Sequence, residues 1–345
     1  MALSDALSKL ATQTIDLSFK DTSNKNYQVL QSYRNTTSYS ILNELHACAR
    51  KYQLIKARAA SGGAGANNVD FAYGHAVGSG TQAWLASGDL NAAIFNAIMA
   101  WRIPFGAAID KKRKSLPDAI VAVQKYALFH QEMLDDWRVW TLPNGKPAIE
   151  LSISVDFENG YKHYIHIDVI LENKYTGQLA VQENKTSGFK SVEEAIYANS
   201  SQALSYAVVV DMLREDTSYE VFYCVYSSTD REWNLLPFTK HTSLKAEWIT
   251  DVRLDHATLN TYHDLNFYPK RGESCYAFMR RCEFFGTCNL VGNLNEPALL
   301  PAGEEAERID YSFKISDIIA RQHDRNQTLP LEEIQPQGAS YVSID

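Results

Sequence analysis

The spacing of apolar residues changes along the chain from a helical period to a strand period and back. Apolar positions that recur every three or four residues predict helices over 41–54, 75–85, 192–213 and 243–259, and two more between 90 and 140. Alternation of apolar and polar residues predicts strands over 148–157, 161–171, 178–185, 219–227 and 232–238. Turn residues separate the first three of these strands, which predicts a three-stranded antiparallel meander.

Composition narrows the class of protein. The 345 residues are 45% hydrophobic and 21% charged, enough to build a substantial core in one large domain or two small ones. We find no apolar run long enough to cross a bilayer and no secretory leader in the first ten residues, so we expect a cytoplasmic protein without a membrane segment. Five cysteines is an odd number, which points to ligand or thiol chemistry rather than to disulfides.

The net charge of −8 is unevenly distributed. Residues 291–345 hold ten acidic and four basic residues, so the first 290 residues carry only −2. This difference predicts a domain over 1–290 followed by an acidic C-terminal extension over 291–345. Two basic runs, residues 111–114 and the arginines near 271–281, are typical of a solvated surface, with phosphate contact as the alternative.

The hairpin over residues 164–185 carries the clearest candidate chemistry. If its turn is centred on Tyr175–Thr176, Asp168 and Glu183 lie directly opposite each other. Facing carboxylates destabilise a sheet unless a positive charge lies between them, and hard oxygen ligands suit Mg²⁺ or Mn²⁺. Period-two alternation also brings Lys185 to the face that carries Glu183. The pattern therefore predicts a divalent-metal site, with a surface hairpin of scattered charges as the alternative.

These residues resemble a known family. The segments HIDVI (166–170) and QENKTS (182–187) resemble the IDxV and (D/E)xKT signature of the PD-(D/E)xK nuclease superfamily, in its RecB-like branch. Gln202 and Tyr206, four residues apart, are similar to the QxxxY motif that follows this site in that branch. With the helix around residues 40–52, the similar segments span about three quarters of the chain.

The resemblance implies a fold, a ligand set and a mechanism. The fold would be α/β, with a restriction-endonuclease-like core of a mixed central sheet flanked by helices and a helical insertion over 85–145. Asp168, Glu183 and the backbone carbonyl of Asn184 would hold Mg²⁺ or Mn²⁺. Lys185 would orient or deprotonate the attacking water, or offset developing negative charge. The QxxxY residues, Gln202 and Tyr206, would position the DNA strand.

One segment departs from the family pattern. Gly74–Gly78 resembles a GxxxH motif, but Gly78 stands where the family usually has a metal-binding histidine, and His75 is out of phase. Either the site uses one ligand fewer, or Gln82 or Glu150 compensates. Glu150 resembles an acidic metal-binding position of many members, with a solvent-facing residue at a strand start as the alternative. We interpret His75 and His166 as structural.

Four cysteines form a second candidate site. Cys275, Cys282 and Cys288 are separated by six and five residues, and Cys48 lies far upstream. Four thiolates suit a tetrahedral zinc or a [4Fe-4S] cluster, and four buried free thiols are the alternative. The resemblance favours the cluster, because iron-sulfur nucleases of this branch have one cysteine before the core and three after it. We call this set the Cys clamp, and we expect Cys224 to be a core residue.

Together these features predict a metal-dependent deoxyribonuclease, an exonuclease acting on linear DNA ends in recombination, repair or phage DNA metabolism. The resemblance implies a phage or prokaryotic source and a recombinase or helicase partner. A nuclease-fold subunit that binds DNA or a partner without cutting is the alternative, and a zinc-clamped interaction module is a third. The acidic extension would dock a basic partner or shield the DNA groove.

Overall fold

The structure is a computed structural model that describes residues 35–60, 69–101, 103, 113–190, 192–214, 218–265, 267–277, 280–290 and 311–328. The strands are β1 (Thr36–Ser38), β2 (Trp137–Val139), β3 (Ile149–Asp156), β4 (Lys162–Asn173), β5 (Leu179–Ser187), β6 (Ser218–Ser227), β7 (Glu232–His241), β8 (Tyr276–Ala277), β9 (Arg280–Arg281) and β10 (Tyr311–Lys314). The helices are α1 (Tyr39–Ala47), α2 (Ala49–Ala60), α3 (Val69–Ser87), α4 (Leu90–Ala100), α5 (Leu116–Met133), α6 (Glu194–Ala198), α7 (Ser201–Leu213), α8 (Lys245–Leu265), α9 (Phe285–Leu290) and α10 (Ile315–Thr328).

Eight of the strands form one mixed sheet. Its order is β10-β3-β4-β5-β6-β7, and β1 and β2 also pair with the long β4. The predicted meander β3-β4-β5 is antiparallel, whereas β6 runs parallel to β5 and β10 runs parallel to β3. The predicted mixed central sheet flanked by helices is therefore confirmed.

Helices cover both faces of the sheet. Along β6, Val221, Tyr223 and Val225 pack in the core that contains α7 and α8, while Phe222 and Cys224 pack in the core that contains α5 and the end of α3. This alternation is the period of two expected of a strand that is buried on both faces. The predicted core position of Cys224 is confirmed, since the residue is fully buried.

A buried ion pair fixes α7 against α8. Lys245 of α8 contacts Asp211 of α7, and their side chains are 1% and 0% exposed. Tyr219 adds a hydroxyl that donates to Asp211 at 3.3 Å. Removing one partner of a buried pair costs about 3–5 kcal/mol, because the other charge is left buried and uncompensated. The helix that faces the end of β5 is therefore held firmly in place.

Two predicted helices are each interrupted. The helix expected over 41–54 is divided into α1 and α2 at Cys48, whose backbone is extended and whose N–H donates to the carbonyl of Glu44. The helix expected over 192–213 is divided into α6 and α7 at Ser200, whose side chain accepts the N–H of Gln202. Serine favours a helix start because its hydroxyl satisfies a free N–H there.

The predicted helical insertion over 85–145 is only partly helical. Helices α4 and α5 are the two helices expected there, and the predicted break at 104–106 lies outside the described residues. However, β2 pairs antiparallel with the end of β4, so the segment also contributes a strand to the main sheet. Its apolar side chains pack on β4 and β5, which explains why this strand joins them.

Part of the predicted acidic extension also belongs to the main sheet. Strand β10 pairs with β3, and Ile315 and Ile318 of α10 are buried in the main core. The rest of 291–345 and residues 111–112 lie outside the described residues. Within the part of the chain that is described, no helix has both the length and the apolar character to cross a bilayer.

Candidate active site

The β4-β5 hairpin has the register that the sequence predicts. Val169 pairs with Gln182, so Asp168 lies opposite Glu183 and the turn is centred on Tyr175–Thr176. The two carboxylates are therefore neighbours on adjacent strands, as expected.

Strand β3 adds a third carboxylate to this row. Ile149 pairs with Val169 and Leu151 pairs with Ile167, which sets Glu150 opposite the aspartate. We call Glu150, Asp168 and Glu183 the carboxylate row, which crosses three adjacent strands.

On β3 and β4, the side chains switch from one face of the sheet to the other at the point where the carboxylate row crosses them. Leu151 and Ile167 pack in the core with α7 and α8, whereas Ile149 and Val169 pack in the core with α5. Glu150, between them, has a backbone φ of 54°, a left-handed conformation that is uncommon for residues other than glycine. Such conformations cost about 1–3 kcal/mol and persist where the surrounding structure enforces them.

Glu183 is the most tightly held member of the row. Its side chain is buried, and its Oε1 accepts from Lys185 Nζ at 2.5 Å and from Gln202 Nε2 at 3.0 Å. Its Oε2 accepts from the Tyr206 hydroxyl at 2.6 Å. Gln202 and Tyr206 are one turn apart on α7, so the helix fixes both carboxylate oxygens. The two residues expected to position DNA thus contact a candidate metal ligand.

The charges in the row shift one another's pKa values. Burial and the charge of Glu183 raise the pKa of Asp168 well above its usual range, and Lys185 only partly offsets them. Burial alone would lower the pKa of Lys185, but the carboxylates of Glu183 and Asp168 outweigh it and raise the pKa above its ordinary value. Burial and then Glu183 raise the pKa of Tyr206 well above its usual range. Lys185 and Tyr206 therefore keep their protons and act as hydrogen-bond donors to Glu183.

The row lies on the floor of an open cavity of about 670 Å³ between α3 and the end of β5. Eight residues of α3 line it: Asp70, Phe71, Gly74, His75, Val77, Gly78, Ser79 and Gln82. A Cβ atom on Gly78 would have nothing within 4 Å, so the middle of the face that they form presents bare backbone to the cavity. Gln82, next along the face, donates to a carboxylate oxygen of Glu150.

Several cavity residues are missing from the sequence interpretation. The predicted helix begins at 75, whereas α3 begins at Val69 and brings Asp70 and Phe71 to the mouth of the cavity. The α3 positions that face the cavity recur every four residues. This spacing is the sequence signal that extends the predicted helix toward its observed start. His75, interpreted as structural, is exposed and also lines the cavity. His166 lies elsewhere, with its Nδ1 3.1 Å from the Ser152 hydroxyl.

The donor atoms of the row are those that Mg²⁺ and Mn²⁺ prefer. Asp168 accepts the N–H of Asn184 at its Oδ2 at 2.9 Å, while its Oδ1 has no hydrogen-bond partner among the described residues. Asn184 faces away from Glu183, with its amide oxygen 3.0 Å from Gln182 Nε2, as the alternation predicts. Over the described residues, no three His, Cys, Asp or Glu side chains stand arranged to hold a metal ion. The row is thus a set of oxygen donors rather than a closed cage.

The four cysteines of the Cys clamp line a second cavity, of about 180 Å³. Cys48 lies at the break between α1 and α2, and Cys275 and Cys282 are joined by a backbone hydrogen bond of 2.8 Å. Burial and the neighbouring thiols raise the pKa of Cys275 above its ordinary value. All five cysteines are free, so the predicted set meets around one cavity without a disulfide.

Comparison with known proteins finds distant structural likenesses, among them the two that follow. No protein-family model matches the chain, and no curated protein matches it. A crystal structure of a "Putative exonuclease" from Eubacterium rectale has 11% identity and a TM-score of 0.44, covering 79% of this chain and 94% of that one. A crystal structure of SSO0001 has 11% identity and a TM-score of 0.27, covering 71% of this chain and 85% of that one. Neither likeness is close enough to indicate an activity for this chain.

Proposed function

We propose that this protein is a divalent-metal-dependent DNA nuclease of the PD-(D/E)xK type that hydrolyses phosphodiester bonds at DNA ends. The observation that carries the proposal is the carboxylate row on the floor of an open cavity, with Lys185 bound to Glu183. Paired carboxylates and a lysine within one cavity are the groups that metal-assisted phosphodiester hydrolysis uses.

Each residue has a defined task in this proposal. Asp168, Glu183 and the carbonyl of Asn184 would hold Mg²⁺ or Mn²⁺, and Glu150 lies beside them as a further ligand. The bound ion would polarise the scissile phosphate and lower the pKa of a water molecule. Lys185 is protonated, so it orients water or offsets the charge that develops on phosphate oxygens.

Two side chains of α7 hold the geometry of this site. Gln202 donates to one oxygen of Glu183 and Tyr206 donates to the other, so the carboxylate cannot rotate freely. We propose that they act through Glu183, as positioning residues. Loss of either would weaken metal binding more than it weakens the binding of DNA.

The charge of the cavity supports the need for a cation. The row carries three carboxylates, and Lys185 is the ammonium that contacts it. A phosphate that enters such a cavity meets net negative charge, which repels it at short range. A divalent ion reverses that sign and lets the scissile phosphate approach.

The Cys clamp would hold a [4Fe-4S] cluster, with zinc as the alternative. Four thiols line one cavity, and four thiolates are the ligand set of either group, but over the described residues no three of them already stand arranged around an ion. Lys51, Lys270 and Arg271 also line this cavity, and their positive charges would favour thiolates and an anionic cluster. Iron and acid-labile sulfide in anaerobically purified protein would identify the cluster, whereas zinc without sulfide would identify the alternative.

The test of the proposed function is the degradation of end-labelled linear DNA. Anaerobically purified protein is assayed on single- and double-stranded substrates in Mg²⁺ or Mn²⁺, beside Lys185→Ala and the control Lys125→Ala. Lys125 is an exposed residue of α5 that does not line the cavity. We expect Lys185→Ala to lose at least about 100-fold in rate, the usual effect of removing one charge-stabilising donor. We expect Lys125→Ala to behave as the wild type.

The possible results separate the two candidate functions. Equal cleavage by the wild type and Lys185→Ala would refute the proposed site. If no form cuts while all forms bind DNA, the protein is a binding subunit, and Gly78 at the usual histidine position is the reason to examine first. Shortening from the label, rather than internal cuts, would identify an exonuclease.

A further inference from the structure

One exposed phenylalanine lines the active-site cavity and a second follows the strand that ends beside it. Phe71 lines the cavity and is 65% exposed, and Phe189, two residues beyond the end of β5, is 66% exposed. One ion pair links their positions. Asp70, next to Phe71, accepts from Lys114 Nζ at 2.8 Å, and that nitrogen lies 3.7 Å from the place of a Cβ on Gly188. This ion pair sets the backbone of Phe189 beside that of the cavity-lining Phe71, and we call Phe71, Lys114 and Phe189 the rim.

The backbone beneath Phe189 is fixed although its ring is exposed. Its N–H donates to the Ser187 hydroxyl at 3.1 Å, and its carbonyl accepts from the Ser227 hydroxyl at 2.9 Å. The Thr229 hydroxyl donates to the Gly188 carbonyl at 2.9 Å. These bonds hold the segment against the turn between β6 and β7, and a ring on a fixed backbone loses little freedom when it binds a ligand.

Cations accompany both rings. Lys114 lies between them, and Lys190 follows Phe189 on the exposed surface. Arg113 is also exposed and donates to the carbonyl of Thr229 at 2.8 Å. Isolated rings set among cations differ from a continuous apolar patch, which would fit a protein partner. Aromatic platforms beside a basic track are the features that bind unpaired nucleic acid bases.

We propose that Phe71 and Phe189 stack on unpaired bases of a single-stranded DNA end while its phosphate reaches the carboxylate row. This proposal rests on the proposed nuclease function and gives its substrate class. The faces of bases inside a duplex are already covered by their neighbours, so only an unpaired strand can offer them to both rings. Stacking tolerates any base, so the rim would distinguish single-stranded from double-stranded DNA and would not distinguish one sequence from another.

The test compares single strands with and without bases. Phe71→Ala, Phe189→Ala and the control Tyr175→Ala are titrated in Ca²⁺ with a labelled oligonucleotide, and with one whose terminal residues are abasic. Tyr175 is 79% exposed at the hairpin turn, roughly 25 Å along the strand from Glu183. A strand with terminal 2-aminopurine reports stacking through the quenching of its fluorescence. Cleavage of both strands in Mg²⁺ or Mn²⁺ is measured in parallel.

We expect each alanine variant to bind the base-bearing strand at least about fivefold more weakly, which is the lower limit for one stacked base. It should bind the abasic strand as the wild type does, and it should no longer quench 2-aminopurine. Phe71→Trp and Phe189→Trp should restore both properties. The rings are exposed, so the melting temperatures should not change, and Tyr175→Ala should match the wild type throughout.

Two binding results would overturn the proposal. One is an equal loss on base-bearing and abasic strands, which would give the rings a structural role. The other is unchanged DNA binding, which would leave a protein partner as their ligand. Failure of the nuclease function has a different signature, since the wild type would then bind with base-dependent quenching but cut neither strand. Cleavage that is indifferent to the bases would overturn the stacking rim and leave the nuclease function intact.

Discussion

Two glycines of α3, two residues apart, should respond to alanine with opposite signs. A Cβ atom on Gly80 would lie 2.4 Å from Val123 Cγ2 and 3.2 Å from the carbonyl oxygen of Ala93. A Cβ atom on Gly78 would meet nothing within 4 Å, because that side of the helix faces the cavity. We therefore expect Gly78→Ala to stabilise the fold and Gly80→Ala to destabilise it.

The magnitudes follow from two opposing effects. Alanine is favoured over glycine inside a helix by about 1 kcal/mol, and this gain applies at both positions. Overpacking a filled core costs about 1–3 kcal/mol. Val123 is fully buried and is β-branched within α5, so it has little freedom to move away, and the cost at Gly80 should lie near the upper limit. The expected changes in unfolding free energy are about +1 kcal/mol for Gly78→Ala and about −2 kcal/mol for Gly80→Ala.

Denaturant unfolding of the two variants and the wild type measures these changes directly. The same substitution in the same helix affects the unfolded chain equally, so the difference between the variants reports the packing around Gly80, in which the contact with Val123 is the shortest. Changes of the same sign in both variants would refute the reasoning. A further variant, Val123→Ala in the Gly80→Ala background, should recover part of the loss if the clash is real.

Three more predictions concern the site and the core. Gly78→His should lower the Mn²⁺ concentration that gives half-maximal cleavage, because the open cavity admits a ring beside the carboxylate row; an unchanged metal titration would contradict this. Asp168→Asn should abolish cleavage yet raise the denaturation midpoint of metal-free protein near pH 7, since the raised pKa of Asp168 means that its ionised form costs stability once the pH exceeds the unfolded pKa. Burial lowers the pKa of His163 to about 3 and of His256 to about 4, so the unfolded chain binds more protons below about pH 6.5, and stability should fall as the pH drops toward 4. Denaturation midpoints at pH 7, 5.5 and 4.5 test this, and His256→Gln should flatten the slope.

The hairpin could be predicted from sequence because its determinants are local. The side chain of Asn173 accepts the N–H groups of Tyr175 and Thr176, and Gly177 has a backbone φ of 72° that suits glycine. These residues set the turn, the turn sets the register, and the register sets which carboxylates face each other. Gln202 and Tyr206 are four residues apart, and this spacing likewise predicts that both lie on one face of a helix.

Other features depend on contacts that local spacing does not encode. The change of face at Glu150 breaks the regular alternation and is imposed by packing on both sides of the sheet. Strand β10 is four residues long and follows an acidic stretch, so its composition hides its place beside β3. The first turns of α3 follow a segment rich in Ala, Gly and Asn and end at Gly74, a poor helix former, so local spacing does not mark where this helix begins.

The position of β10 in the chain has a consequence for biosynthesis. This strand covers the edge of β3, yet about 155 residues separate the two in sequence. At translation rates of roughly 5–20 residues per second, the edge of β3 stays open for roughly 10–30 s after β3 has been made. An open strand edge is a template for pairing with another chain. The edge of β3 is therefore unpaired in nascent chains and in products truncated before Tyr311. Such chains can pair with one another through this edge, which β10 covers once it has been made.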